Sequence, residues 1–140
     1  MDRRQAPRRV ATMLLTTLVI GTLASPASAY PRPGQTERVS IRSDSSQGNS
    51  ASSSPAMSAD GRFVAFASVA YNLVPQDTNA TRDIFVHDRH RGTTERVSIS
   101  SGGVQANGPS YNPAISADGR HVAFESTATN LAPGDGNQLS

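Results

Sequence analysis

An internal repeat is the feature that most constrains how this chain can fold. Residues 36–82 align with residues 94–140 without a gap, and 27 of the 47 aligned pairs are identical. The offset is constant at 58 residues (94 − 36 = 58), as the hexapeptide Thr-Glu-Arg-Val-Ser-Ile at both starts shows. Tandem duplication accounts for identity at this level, so both copies are expected to form the same supersecondary unit.

Each copy carries an Asp-Gly pair between two short runs of largely apolar residues. Residues 55–66 read Pro-Ala-Met-Ser-Ala-Asp-Gly-Arg-Phe-Val-Ala-Phe, and residues 113–124 repeat them with two changes. Gly, and more weakly Asp, tolerates the positive φ angles that primed hairpin turns demand. The pattern therefore predicts a β-hairpin in each copy, with tight primed turns at Asp60-Gly61 and Asp118-Gly119.

Four strands are predicted within one period, which makes the fold class all-β with antiparallel four-stranded units. The second strand is apolar on both faces, so it is expected to be covered on both sides. A long loop, residues 69–82, follows this strand, and two Ser-rich segments, residues 43–54 and 101–112, are expected to link the units. The four predicted strands span residues 56–58, 62–68, 83–87 and 94–100.

The chain contains, in order, the run Ser-x-Asp-Gly-Arg, the Val-Ala-Phe strand, and Asp-Ile-Phe-Val-His-Asp before a Gly-containing turn. Together these motifs resemble the blades of TolB-like β-propellers, also known as WD40-like or PD40 repeats. That family usually has Pro where Ala59 and Ala117 stand. The resemblance implies one complete blade at residues 55–100, preceded by an outer strand at 37–42 and followed by two strands at 113–126. Because propellers close with ~4–8 blades, three interpretations remain: a truncated product, which the end within a repeat favours, an oligomer that completes the ring, or a small open sheet.

The first 29 residues are predicted to be a secretory signal peptide, which leaves residues 30–140 as the partial propeller, with repeats at 36–93 and 94–140. Four arginines precede an uncharged apolar run at residues 10–24, and Ala27-Ser28-Ala29 fits a cleavage site. The run is shorter than the roughly 20 residues of a spanning helix, which argues against a membrane anchor. The mature chain is therefore expected to be secreted or extracytoplasmic.

Cleavage reverses the sign of the net charge. The whole chain has 13 basic and 11 acidic residues, and removing four Arg and one Asp leaves 9 and 10, a net charge of −1. No basic patch then argues for nucleic acid or an anionic membrane surface as partner. The chain has no Cys, so burial or self-association must stabilise it without disulfides.

The long loop and its copy supply the candidate binding residues, because loops on a rigid scaffold commonly carry function. Asp77, Asn79, Thr81 and Asp83 set oxygen ligands at alternate positions, as calcium loops do. Polar turn-capping is the competing interpretation. The candidate ligand-binding residues are Asn72, Asp77, Asn79, Asp83, Asn130, Asp135 and Asn137.

The remaining polar motifs favour structure over catalysis. His87, His90 and His121 are interpreted as surface or packing residues, and Asp60 and Asp118 as turn-formers, while the chain contains no Gly-x-Ser-x-Gly elbow. The leading hypothesis is an exported, non-enzymatic binding or scaffolding module for a protein or small-molecule ligand. The alternatives are the N-terminal piece of a propeller-containing hydrolase or lyase, and a calcium-stabilised structural repeat.

Overall fold

Six β-strands make up the regular structure of the described part of the chain. The computed structural model describes residues 34–134, so the predicted signal peptide and the candidate residues Asp135 and Asn137 lie outside the described residues. No helix in the described part is long and apolar enough to cross a bilayer. The strands are β1 (Ser52–Met57), β2 (Phe63–Ser68), β3 (Asp83–Asp88), β4 (Thr93–Arg96), β5 (Ser110–Ile115) and β6 (Val122–Ser126).

Two antiparallel sheets arise from these strands. The first four pair in sequence order, β1-β2-β3-β4, and β5 pairs with β6 in a second, two-stranded sheet. The described residues contain no helix, which confirms the all-β prediction. Both hairpins share a register irregularity, between Ser53 and Ala56 in β1 and between Tyr111 and Ala114 in β5.

Both Asp-Gly pairs lie in hairpin connections, as predicted, but the prediction of a tight primed turn is wrong. The positive φ in this turn falls on Gly61 (70°) and not on Asp60. Gly61 N donates to Ser58 O at 2.9 Å, and the strands close only where Ser58 N donates to Phe63 O. Asp60 contributes its side chain instead, accepting hydrogen bonds from Ser58 Oγ (2.6 Å) and Arg62 N (3.0 Å). The second hairpin repeats these bonds through Ser116 and Asp118.

Several predicted strand limits are wrong. The first strand begins at Ser52, inside the Ser-rich segment interpreted as a linker, because the Ser52 and Ser68 hydroxyls pair across the hairpin at 2.9 Å. The fourth strand ends at Arg96, and residues 37–42 form no strand. In both copies the chain turns back on itself after the repeated hexapeptide, which leaves single bridges from Ile41 to Gln47 and from Ile99 to Gln105.

The core lies on one face of the first sheet. Phe66 and Phe85 stack there with ring centroids 5.8 Å apart, and Ala70 and Leu73 from the long loop pack against them. The opposite face of β2 is also buried, with Ala65 and Ala67 no more than 1% exposed. The prediction that this strand is covered on both sides is therefore confirmed.

The second sheet packs against the first through β5. Ser110 N donates to Arg82 O at 2.8 Å, and Ala59 N donates to Ala117 O at 3.0 Å, so both ends of the contact are fixed by backbone hydrogen bonds. The ring of Phe63 lies directly against Gly119, where an added Cβ would stand 2.3 Å from Phe63 Cδ2. A side chain at position 119 would collide with this ring.

The two copies repeat their backbone even where their residues differ. Ser45 and its counterpart Gly103 both have positive φ, 68° and 78°. The pairs Ser54 and Asn112 (52° and 48°) and Gln76 and Gly134 (59° and 76°) behave alike. The repeat is thus one of conformation as well as of sequence.

Candidate functional site

Asn72, in the first part of the long loop, holds the Ser-rich segment in place. Asn72 Oδ1 accepts from Asn49 N at 2.9 Å, and Asn72 Nδ2 donates to Gln47 O at 2.9 Å. Asn130 does the same in the second copy, accepting from Asn107 N at 3.0 Å and donating to Gln105 O at 2.9 Å. Asn72 and Asn130, two of the candidate ligand-binding residues, therefore form hydrogen bonds from their side-chain amides to the backbone of the chain.

Asp77 and Asp83 converge on one arginine. Arg96 Nη1 lies 3.1 Å from Asp77 Oδ1 and 3.4 Å from Asp83 Oδ2. The side chains of Asp77 and Asp83 are 4% and 0% exposed, and that of Arg96 is 11% exposed. The guanidinium thus balances two carboxylates that would otherwise be costly to bury.

Asn79 and Ser98 complete the hydrogen bonds of this cluster. Asp83 accepts from Ser98 Oγ at 2.6 Å and from Asn79 Nδ2 at 2.8 Å. Asn79 Nδ2 also donates to Ala106 O at 2.9 Å, and its Oδ1 accepts from Thr81 N at 3.3 Å. Four of the sequence-predicted residues (Asp77, Asn79, Thr81 and Asp83) are therefore brought together in a partly buried network, Thr81 through its backbone N–H, that ties the loop to the second Ser-rich segment.

The surroundings of Asp77 within the cluster disfavour a negative charge on its carboxyl group. Burial, and then the neighbouring Asp83 carboxylate, raise the pKa of Asp77, while Arg96 acts in the opposite direction. Between residues 34 and 134, no group of three or more His, Asp or Glu side chains is placed to hold a metal ion. A calcium ion at the predicted position would have to compete with the Arg96 guanidinium for the same two carboxylates.

Two exposed apolar side chains of the long loop lie beside a concave surface of mixed polarity. Tyr71 is 65% exposed and Val69 is 37% exposed. They border a cavity of about 270 Å³ that Asp77, Thr78, Ala80 and Thr81 also line. Thr78 Oγ1 accepts from Gln105 Nε2 at 2.6 Å, which joins the loop to the turn after β4.

The histidines are placed as packing and surface residues. His87 is 1% exposed, and its Nδ1 lies 2.9 Å from Thr94 Oγ1. Because the Thr94 hydroxyl donates its hydrogen to Ile41 O, it must accept from His87 Nδ1–H. Burial lowers the pKa of His87 and favours this neutral form. His90 and His121 are exposed.

Another ion pair closes the opposite end of the first sheet. Arg62 donates from Nε (3.1 Å) and Nη2 (2.7 Å) to the carboxylate of Asp88, whose side chain is 8% exposed. These bonds, together with the backbone N–H groups of Arg91 and His90, lower the pKa of Asp88 to about 2. Asp88 thus joins the start of β2 to the turn after β3.

Sequence reasoning missed Arg96 and Tyr71 as members of this region. The repeated hexapeptide places Arg38 and Arg96 at equivalent positions, a signal that could have drawn attention to the arginine. Nothing in the local pattern separates Tyr71 from a core aromatic residue. Comparisons of the chain with known protein families, with curated proteins and with solved structures found no match.

Proposed function

We propose that this chain is an exported, non-enzymatic repeat protein of the β-propeller type, or a fragment of one, with a binding or scaffolding role. The four-stranded meander β1-β2-β3-β4 supports the blade part of the proposal, because a propeller blade is a four-stranded sheet. A second hairpin with the same turn bonds, packed beside the first sheet, supports an array of such units.

The observation that carries the binding role is the contrast between the two sides of the long loop. Its carboxylates and amides are used in internal hydrogen bonds and ion pairs, whereas Tyr71 and Val69 face solvent beside a cavity of about 270 Å³. Side chains that are engaged in this way stabilise the fold and are not available to bind a ligand. An exposed aromatic residue in a concave surface is typical of sites that bind a protein or a small molecule.

Site-specific photocrosslinking in the producing cell tests the binding role. A photoreactive phenylalanine analogue at Tyr71 is expected to yield a discrete adduct. The same analogue at Met57, which is 60% exposed but lies outside the loop, serves as the matched control. Equal labelling from both positions, or none from position 71, would contradict the proposal.

Export is tested separately by the N-terminal sequence of the protein recovered outside the cytoplasm. We expect it to begin at Tyr30, after the Ala27-Ser28-Ala29 site. Recovery of a product that retains Met1 and stays with the cytoplasmic fraction would overturn this part.

A calcium-stabilised repeat is the second candidate, and the convergence of Asp77 and Asp83 with Asn79 is what favours it. It predicts that added calcium raises the melting temperature and that EDTA reverses the rise. Because Arg96 already balances these carboxylates, we expect no shift. A reversible rise that Asp77→Asn abolishes would establish the calcium role.

A further inference from the structure

A groove separates the first repeated hexapeptide from β1. It has a volume of about 230 Å³, and its lining combines apolar residues with serines and an arginine. We call it the N-terminal groove, and its lining residues are Arg38, Val39, Ser40, Ser52, Ser53, Pro55 and Phe66.

The equivalent position in the second copy, 58 residues further on, is occupied by the start of β3. Val97 N donates to Ile84 O at 2.8 Å, and Ser110 N donates to Arg82 O at 2.8 Å. Ser98 Oγ donates to Asp83 Oδ1 at 2.6 Å and accepts from Ile84 N at 3.1 Å. The chain itself therefore shows which kind of segment fits between these two elements.

The solvent exposure of equivalent residues differs between the two copies, because β3 covers this position in the second copy. Ser110 and Pro113 of β5 are buried, whereas their counterparts Ser52 and Pro55 of β1 are exposed. Ser98 is 0% exposed, but its counterpart Ser40 is only half-buried. The same surface that is covered in the second copy is open in the first.

The lining of the N-terminal groove includes counterparts of the two residues that bind an aspartate in the second copy. There, Asp83 lies against the Ser98 hydroxyl and 3.4 Å from Arg96 Nη1. The repeat places Ser40 and Arg38 at these two positions. Charge-assisted hydrogen bonds of this kind are stronger than neutral ones and favour a carboxylate ligand.

We propose that the N-terminal groove binds an extended polypeptide segment in which an aspartate is followed by a large apolar residue. The segment runs antiparallel to residues 38–40, its carboxylate meets Ser40 and Arg38, and its apolar side chain enters the groove. This inference uses a surface different from the long loop and does not rest on the binding role proposed above.

A fluorescent peptide with the sequence of residues 81–86, Thr-Arg-Asp-Ile-Phe-Val, tests the proposal against the full chain by anisotropy. We expect saturable binding, weakened at least about tenfold when the peptide's Asp is replaced by Asn, because hydrogen bonds to charged groups contribute that much. On the protein, Arg38→Gln and Ser40→Ala should each weaken binding several-fold.

Arg42→Gln is the matched control, since it removes a positive charge from the same segment at a residue that does not line the groove. Tyr71→Ala should leave peptide binding unchanged, which separates this site from the long loop. Circular dichroism shows whether each variant is folded. No binding, equal affinity for the two peptides, or equal effects of Arg38→Gln and Arg42→Gln would overturn the proposal. Self-association that only Arg38→Gln abolishes, without peptide binding, would place a second copy in the groove and also overturn it.

Discussion

At the scale of single residues, the repeated asparagines show how a candidate ligand residue can be structural. Asn72 was expected to face a ligand, yet its amide closes the Ser-rich segment through Gln47 and Asn49. Sequence could not reveal this role, because the partners lie 23 and 25 residues earlier in a segment interpreted as a linker. By contrast, Asp60 and Asp118 act as the predicted turn-formers, since their partners are local.

Replacing Asn72 with Ala should destabilise the protein by about 1 kcal/mol, because two backbone groups lose their partner. The unfolding midpoint in urea measures the change. Asn49→Ala is the control, since it alters a neighbouring asparagine but keeps the backbone N–H that Asn72 accepts from. Equal losses of stability for the two variants would show that the hydrogen bonds of the Asn72 amide do not stabilise the fold.

Asp88 should make stability depend on acid pH. Its pKa is lowered from 3.8 to about 2 by Arg62 and two backbone N–H groups, so the folded protein binds a proton less readily than the unfolded chain. Stability from this group is present above about pH 4 and is lost as the pH falls towards 2.

Urea unfolding at a series of pH values between 5 and 2 measures this effect. Asp88→Asn should flatten the curve over that range, whereas Glu125→Gln, which removes a carboxylate from an exposed face, should not. A wild-type curve that matches the Asp88→Asn curve would refute the assignment.

At the scale of elements, two strands of nearly the same sequence have different environments. β2 is buried on both faces, while the residues of β6 alternate between half-buried and exposed. The local sequence predicted the positions of the hairpin turns and the limits of β3 to within one residue. The start of β1 and the end of β4 did not, because cross-strand partners decide where a ladder stops.

Exchanging one residue between the copies tests this difference. Ala67 is 1% exposed, and its counterpart in the repeat is Glu125, which is exposed. Ala67→Glu should cost about 3 kcal/mol or more, because it buries an unpaired charge. The reciprocal change, Glu125→Ala, should leave the unfolding free energy within about 0.5 kcal/mol. Similar effects of the two changes would mean that β2 is not covered on both sides.

At the scale of the whole molecule, the contact between the sheets joins unlike positions of the two copies. Phe63 of the first copy meets Gly119 of the second, and position 63 corresponds to His121 and not to Gly119. The repeat predicted that both copies form the same unit, and the apolar faces of the second strand predicted that it would be covered on both sides. Neither pattern could predict this contact, because the geometry of packing between units is not encoded within one unit.

The two turn glycines allow a matched test of the packing between sheets. Gly61 and Gly119 have φ of 70° and 72°, so alanine is equally strained at both. At Gly61 the nearest atom to an added Cβ is 3.5 Å away, but at Gly119 the Phe63 ring stands at 2.3 Å. Gly119→Ala should therefore cost about 1–3 kcal/mol more than Gly61→Ala, by thermal or urea unfolding. Equal costs would show that the sheets do not pack through this ring.

The shared positive φ angles have a consequence for how such a chain could be rebuilt. Ser45 and Gln76 adopt left-handed backbone that Gly103 and Gly134 adopt without steric penalty. Surrounding hydrogen bonds, such as that from Ser45 N to Arg42 O, impose the conformation whichever residue is present. A designed array that used the glycine version of these turns in every unit would relieve the same strain each time, so the gain would grow in proportion to the number of units.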